Sequence, residues 1–383
     1  MNLRTIQALT LLVLGPSPAL AQPVTAPAPL QNRLQAKLDS VYRAGKFPGA
    51  TLGVALADGS SFGLAVGQSD TALKKPMRAD DRMPQGSVGK TYVAAVALQL
   101  VDEGKLELDA PVSRYLGSEA WLARLPNATA ITVRQLMNHT SGLVRYEFNE
   151  RFLTDLKRDP FRVWKVEEQL AYLFDQPAPF AAGQGWDYSD TNYLVLGLII
   201  ERLTGRALNH EIGRRLMQPL GLTATIPNDQ PDLPIVQGYA GQPNPFGNSD
   251  AMLVNGRMIM NPAFEGAGGG WSSSAEDLAR WGKALYGGKV LSGARLQEAL
   301  QGVPARLGPE VRYGLGVIIW PSAAGPVYGH SGFFPGYVTD LRYFPQGDFA
   351  LALQVNTSLA RALGQPSGQL MNQLADIVRS SRN

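Results

Sequence analysis

Ser87-Val88-Gly89-Lys90 stands at the head of an apolar stretch, residues 92–102, that reads as a helix stopped at Gly104. Three residues apart on a helix puts two side chains on one face, about 5–6 Å between Cβ atoms. The lysine nitrogen therefore reaches the serine oxygen. A serine hydroxyl is a weak nucleophile until a neighbouring base removes its proton. Lysine is that base only if its pKa falls from about 10.4 to near 7, at a cost of roughly 4 kcal/mol. Burying the ammonium in a tight, partly apolar pocket supplies such a fall. Backbone N–H groups at the start of the helix suit an oxyanion. The plainer reading is that Ser87 caps the helix and Lys90 is a solvated first-turn side chain.

Two further groups have the right chemistry. Tyr188-Ser189-Asp190 precedes an apolar helix expected over 193–203 and ended by Gly205. A phenol beside a lysine shares its proton and passes it to a leaving group; the alternative is a tyrosine that anchors a loop. Gly329-His330-Ser331-Gly332 falls between expected strands. A glycine there lets a substrate backbone approach a strand edge, while His330 and Ser331 can donate hydrogen bonds to a carboxylate. A lone histidine beside a strand is otherwise structural.

Other candidates read as architecture. His139-Thr140-Ser141-Gly142-Leu143 follows a short helix at 132–138 and reads as its C-terminal cap, beside the site. His210 sits in an ordinary helical stretch. Gly59-Ser60-Ser61-Phe62-Gly63 matches the G-x-S-x-G elbow of α/β-hydrolases, which needs a helix after the serine. Here Asp58-Gly59 signals a hairpin and residues 64–67 continue as a second strand, so Ser61 reads as a turn residue.

The elements that must hold these groups belong to a chain of 383 residues, 45% hydrophobic and 17% charged, enough for a large core. A net charge of +3 without a basic run leaves no footprint for nucleic acid. The absence of cysteine removes thiol nucleophiles, disulfides and cysteine-ligated metal. The three histidines lack metal-site spacing, so no cofactor or metal is expected. Residues 1–21 read as a signal peptide, with Arg4, a short apolar run and the small-x-small site Ala19-Leu20-Ala21. That implies a secreted or periplasmic protein, and no later run is long enough to span a membrane. Residues 22–28 read as a Pro/Ala linker.

Residues 29–383 read as one domain, with an α/β lobe over 29–80 and 270–383 and a helical lobe over 81–269. A helix is expected at 30–42, a hairpin at 51–66 and a long surface excursion at 223–270. A capping box at Ser273 and Glu276 opens another helix. Strands are expected at 313–320, 336–344 and 349–356, and a last helix at 367–378. Strands at both ends with helices between point to a sheet built from both termini.

In order along the chain, Ser87-x-x-Lys90, Tyr188-Ser189-Asp190 and His330-Ser331-Gly332 resemble the motifs of the serine β-lactamase-like hydrolases. That group joins class C β-lactamases, secreted D-alanyl-D-alanine carboxypeptidases and related esterases. His139–Leu143, Gly269-Gly270-Trp271-Ser272-Ser273 and Tyr313-Gly314-Leu315-Gly316 are secondary landmarks of the same likeness, which runs from about residue 30 to about 375. The resemblance implies an α/β fold of α+β type: a mainly antiparallel sheet flanked by helices, with an inserted all-helical lobe and the site between. It implies that Ser87 is acylated and that Lys90 and Tyr188 form the proton-transfer pair. Asp190 would contact substrate or orient Lys90, and His330, Ser331 and Gly332 would line the substrate edge. The oxyanion hole would combine the Ser87 N–H with that of Phe333 or Phe334. No metal or organic cofactor is implied.

The implied substrate is a small molecule or peptide, among D-amino-acid peptides, esters and β-lactams, with peptidoglycan as one source. Many members carry Asn at the Asp190 position and Lys at the His330 position. An ionised Asp only accepts hydrogen bonds, and a neutral His attracts a carboxylate less than Lys does. Both departures favour a peptidase or esterase over a penicillin hydrolase. The alternative is a non-catalytic member of the fold that binds cell-wall peptide or a protein partner.

Overall fold

The computed structural model describes residues 28–381 other than 243, 245, 248 and 360. The expected signal peptide and residues 22–27 of the linker lie outside these. Ala28, expected to close the linker, instead begins helix α1, Ala28–Ala44. Its buried residues Leu30, Leu34, Leu38 and Val41 recur at helical spacing and form a single stripe.

The main sheet has nine strands: β1 (Gly49–Ala55), β2 (Ser61–Asp70) and β3 (Lys75–Pro76) from the N-terminal part, then six later ones. A small second sheet is formed by β4 Arg82–Pro84, β5 Ile226–Pro227 and β6 Trp271–Ser274. The main sheet continues with β7 Val303–Pro304, β8 Arg312–Tyr313, β9 Ile318–Trp320, β10 Val327–Phe334, β11 Tyr337–Phe344 and β12 Phe349–Val355. Its order is β3-β2-β1-β12-β11-β10-β9-β8-β7, with antiparallel neighbours. Both chain ends thus meet at the β1–β12 pair, in the register Leu52 to Leu353. Every residue of β1 and β12 is buried, because helices cover both faces.

On one face lie α1 and the terminal helix, Ser367–Ser380, which share one core with alternate residues of β1 and β12. On the other lies the helix Ala275–Tyr286. A Cβ on Gly53 would fall 1.8 Å from the carbonyl oxygen of Ala275, so glycine is what lets that helix seat on β1. The second and larger core joins this helix to α2, Lys90–Asp102, and to α3, Val133–Met137, and α4, Thr191–Thr204. Helix α2 is mostly apolar and is buried on every side from Lys90 to Leu98. Among the described residues, no helix is long and apolar enough to cross a membrane.

Several boundaries differ from expectation. The N-cap of Ala275–Tyr286 is Ser274, accepting from the Asp277 amide, one residue past the expected capping box. Residues 313–320 are not one strand. Gly314 and Gly316, the latter at φ 77°, break the run into β8 and β9. The Gly329–Gly332 segment is not a connection but lies within β10. Its glycines and single histidine hide the alternation that marks a strand.

Candidate active site

Ser87 lies in a single 3₁₀ turn, Gly86–Gly89, that runs straight into α2. Gly86 sits at φ 54° and a Cβ there would approach the Phe333 carbonyl oxygen to 2.4 Å and the Phe333 nitrogen to 2.7 Å. A Cβ on Gly332 would lie 1.9 Å from the Gln85 oxygen and 3.3 Å from the Ser87 nitrogen. Two glycines therefore permit the serine turn and β10 to touch backbone to backbone. They bring the amides of Ser87 and Phe333 beside one another. Strand β9 pairs only with Val327–Gly329, so beyond that point β10 meets the serine turn on that edge. The turn is braced from behind: Tyr92 donates to the Gln85 side chain at 3.1 Å and packs against Trp281 and Trp271.

Lys90 opens α2 and is fully buried with it. Its Nζ donates to Ser87 Oγ at 3.0 Å and to the Gly268 carbonyl, and it forms a close ion pair with Asp190. It also lies 5.0 Å from the centre of the Tyr188 ring. Burial, the largest influence, pulls its pKa down, but Asp190 and then Tyr188 outweigh it and the net shift is upward. This corrects the expectation that surroundings keep the amine neutral. Asp190, at the N-cap of α4, makes the resting side chain an ammonium. Desolvation acts against the Asp190 carboxylate, yet Lys90 holds its pKa down at about 2.

The Tyr188 hydroxyl is enclosed against Ser87 and Lys90 and interacts with both, without a hydrogen bond of ordinary geometry. Burial raises its pKa while the Lys90 charge works to lower it. Arg145 adds its guanidinium over the Tyr188 ring at 5.4 Å. Ser87, Lys90, Tyr188 and Asp190 are thus brought together as the motif order suggested.

His330 is placed differently from expectation. It is 1% exposed, and both ring nitrogens are engaged within the protein. Nδ1 lies 2.6 Å from the Ser331 carbonyl, which can only accept, so Nδ1 carries the proton. Nε2 then accepts from the Tyr313 hydroxyl at 2.8 Å. Burial and then the Lys90 charge push its pKa down to about 3. His330 therefore offers no donor to a substrate carboxylate. Ser331 is exposed, and Gly332 is buried against Gln85. Ser61 donates to Glu276 at 2.7 Å, the first residue of β2 and not a turn residue.

A cavity of about 390 Å³ opens beside Ser87 and Asp190. Phe148, Phe152, Leu153, Leu156, Phe246, Phe264 and Phe333 give it apolar walls, and Lys157 adds an exposed cation from the helix Glu150–Arg158. Sequence reasoning missed its polar wall. Arg145 pairs with Glu147 at 2.6 Å and reaches Asp190 at 3.8 Å. Glu147 and Glu265 each keep one enclosed carboxyl oxygen without a hydrogen-bond partner. Desolvation, then the Asp190 charge, pushes both up to about 8. Nothing in Arg145-Tyr146-Glu147 or in Glu265 by itself signals a site; only the approach of residues 262–268 to the start of α4 does. Among the described residues, no group of three or more His, Asp or Glu is arranged to hold a metal.

The chain is 30% identical to the esterase EstB of Burkholderia gladioli, over 92% of this chain and 95% of that protein. It is 29% identical to penicillin-binding protein 4 of Amycolatopsis lactamdurans, over 85% of each. The D-stereospecific amidohydrolase of a Streptomyces species superposes with a TM-score of 0.73 at 27% identity, covering 86% of this chain and 97% of that one. The D-amino acid amidase of Ochrobactrum anthropi SV3 shares the fold, at 23% identity and a TM-score of 0.80 over 93% of this chain and all of that one. The beta-lactamase family pattern matches residues 30–371, nearly the whole described chain. With the antiparallel sheet, its flanking helices and the serine turn at the head of a buried helix, the match places this chain in the beta-lactamase family of serine hydrolases.

Proposed function

We propose that the protein is an exported hydrolase that acts through an acyl-enzyme on Ser87, and that its substrates are esters and amides that lack a carboxylate beside the bond to be cleaved. The leader-like first 21 residues support export to the periplasm or beyond. The observation that carries the substrate reading is the occupancy of the charges around Ser87. Lys90 is paired with Asp190, Arg145 with Glu147, and His330 is neutral and internally bonded. A substrate carboxylate placed beside Ser87 would face the Asp190 carboxylate, which Lys90 and Arg145 already approach, while the exposed Lys157 belongs to the helix Glu150–Arg158. The relatives named as an esterase and as a D-stereospecific amidohydrolase fit this side of the family.

In this reading the Lys90–Tyr188 pair first loses one proton to solvent. Ser87 Oγ attacks the carbonyl carbon as its proton passes to the pair, while the amides of Ser87 and Phe333 hold the oxyanion. The pair returns that proton to the leaving alcohol or amine as the acyl bond breaks. A water then attacks the acyl-enzyme by the same route in reverse, releasing acid and restoring Ser87.

Intact-mass labelling tests this. A p-nitrophenyl ester and an amino acid amide are expected to give turnover and a transient adduct that Ser87→Ala abolishes. A penicillin and a D-Ala-D-Ala thioester are expected to react slowly or not at all. Rapid penicillin turnover would overturn the substrate reading, and no adduct with any probe would favour a non-catalytic binding protein.

A further inference from the structure

His139 holds Tyr188 from three directions. The amide of Asp187 donates to the His139 carbonyl at 3.1 Å. The amide of Ser189 donates to His139 Nδ1 at 3.2 Å. Between those two bonds the imidazole ring lies against the Tyr188 ring, centroids 4.3 Å apart. The residues on both sides of the tyrosine, and the tyrosine itself, are thus referenced to one buried side chain.

The tautomer of His139 follows from its neighbours. Ser141 Oγ donates to Asn192 Oδ1, which leaves Asn192 Nδ2 as a donor, 3.0 Å from His139 Nδ1. Two donors on Nδ1 leave it unprotonated, so the proton sits on Nε2. His139 is fully buried, and it sits at φ 63°, where a residue with a Cβ is strained. That conformation turns its carbonyl and its ring toward the same segment. A capping residue alone would need no ring, and asparagine or glycine would serve the helix end with less strain.

We propose that His139 is a positioning residue whose ring and carbonyl clamp residues 187–189 and so set the Tyr188 hydroxyl against Ser87 and Lys90. The inference rests on the reading that Tyr188 takes part in proton transfer. It assigns the His139-Thr140-Ser141 motif a task beyond ending α3. Ser141 belongs to the device because it orients the Asn192 amide that fixes the ring.

A double-mutant cycle on the full chain tests the clamp, with p-nitrophenyl acetate as substrate. His139→Ala is expected to lower kcat by about 10–100-fold, the loss typical of misplacing a reacting group by about 1 Å. KM should stay within about threefold, since substrate contacts are untouched. His139→Asn tolerates the positive φ and keeps an acceptor near Nδ1 but loses the ring, so it should recover part of that loss. In the Tyr188→Phe background, where there is no hydroxyl to place, either His139 change should cost less than about threefold. Equal losses in both backgrounds would overturn the clamp, as would full activity in the single variants. If His139→Ala does not melt cooperatively, the same cycle with His139→Asn decides the matter. Wild-type activity in Tyr188→Phe would instead overturn the role of Tyr188 itself, and the clamp with it.

Discussion

Replacing Asp190 by asparagine keeps the shape of the side chain and deletes the anion against Lys90. Two unit charges about 4 Å apart interact by about 4 kcal/mol at an effective dielectric of 20, which corresponds to about 3 pKa units. Asp190 shares its field with Arg145, and its side chain is 19% exposed, so solvent screens part of that interaction. Glu147 opposes the change as well. Part of its upward shift comes from Asp190, so it ionises more readily once that charge is gone. A net effect of about 2 units is expected. The sign follows from the geometry. The carboxylate stabilises the proton on the Lys90–Tyr188 pair, so without it the pair becomes a base at lower pH. The acid limb of kcat/KM for p-nitrophenyl acetate, followed from about pH 5 to about pH 10, should move down by about 2 pH units. A neutral substrate keeps its own titration out of the profile. An acid limb that stays in place, or moves up, would refute the claim that Asp190 keeps Lys90 charged at rest.

The other predictions concern the cavity wall and the serine turn. Glu265 is half-buried with one enclosed, unpartnered carboxyl oxygen and a pKa raised to about 8. Its folded state keeps a proton that the unfolded chain gives up, so stability falls as pH rises from about 4.3 through about 8. Glu265→Gln should therefore stabilise the protein by about 1–3 kcal/mol at pH 8 and by almost nothing at pH 4, read from denaturant midpoints. Gly332→Ala puts a methyl 1.9 Å from the Gln85 oxygen, so kcat/KM should fall by more than about 100-fold. Near-normal turnover would mean that β10 and the serine turn can separate freely. Ser87→Ala should lose at least about a thousand-fold in activity, whereas Ser61→Ala, which removes only a hydrogen bond to Glu276, should change it by less than about twofold.

The local parts of this molecule were legible in its residues. Helix α1 and the terminal helix announce themselves by the period of their apolar positions, because each buries one face, while β1 and α2 show as unbroken apolar runs bounded by turn residues and glycine. The serine–lysine spacing belongs to the same class, since three residues on a helix turn define a distance without further help. The order of the three motifs, together with the landmarks between them, pointed to the fold as a whole. The charge on Lys90 could not be read in that way. It depends on Asp190, which lies a hundred residues later and arrives through the packing of α4 against α2. The same holds for His330, whose nitrogens are taken by Tyr313 and by its own strand once β8 and β10 are folded together. Arg145, Glu147 and Glu265 become one wall only because residues 262–268 pack against the start of α4. Spacing along a chain fixes which atoms are near each other within a turn or a strand. Protonation and substrate preference follow from dielectric surroundings and distant charges, and those exist only after the sheet and helices have closed around the site.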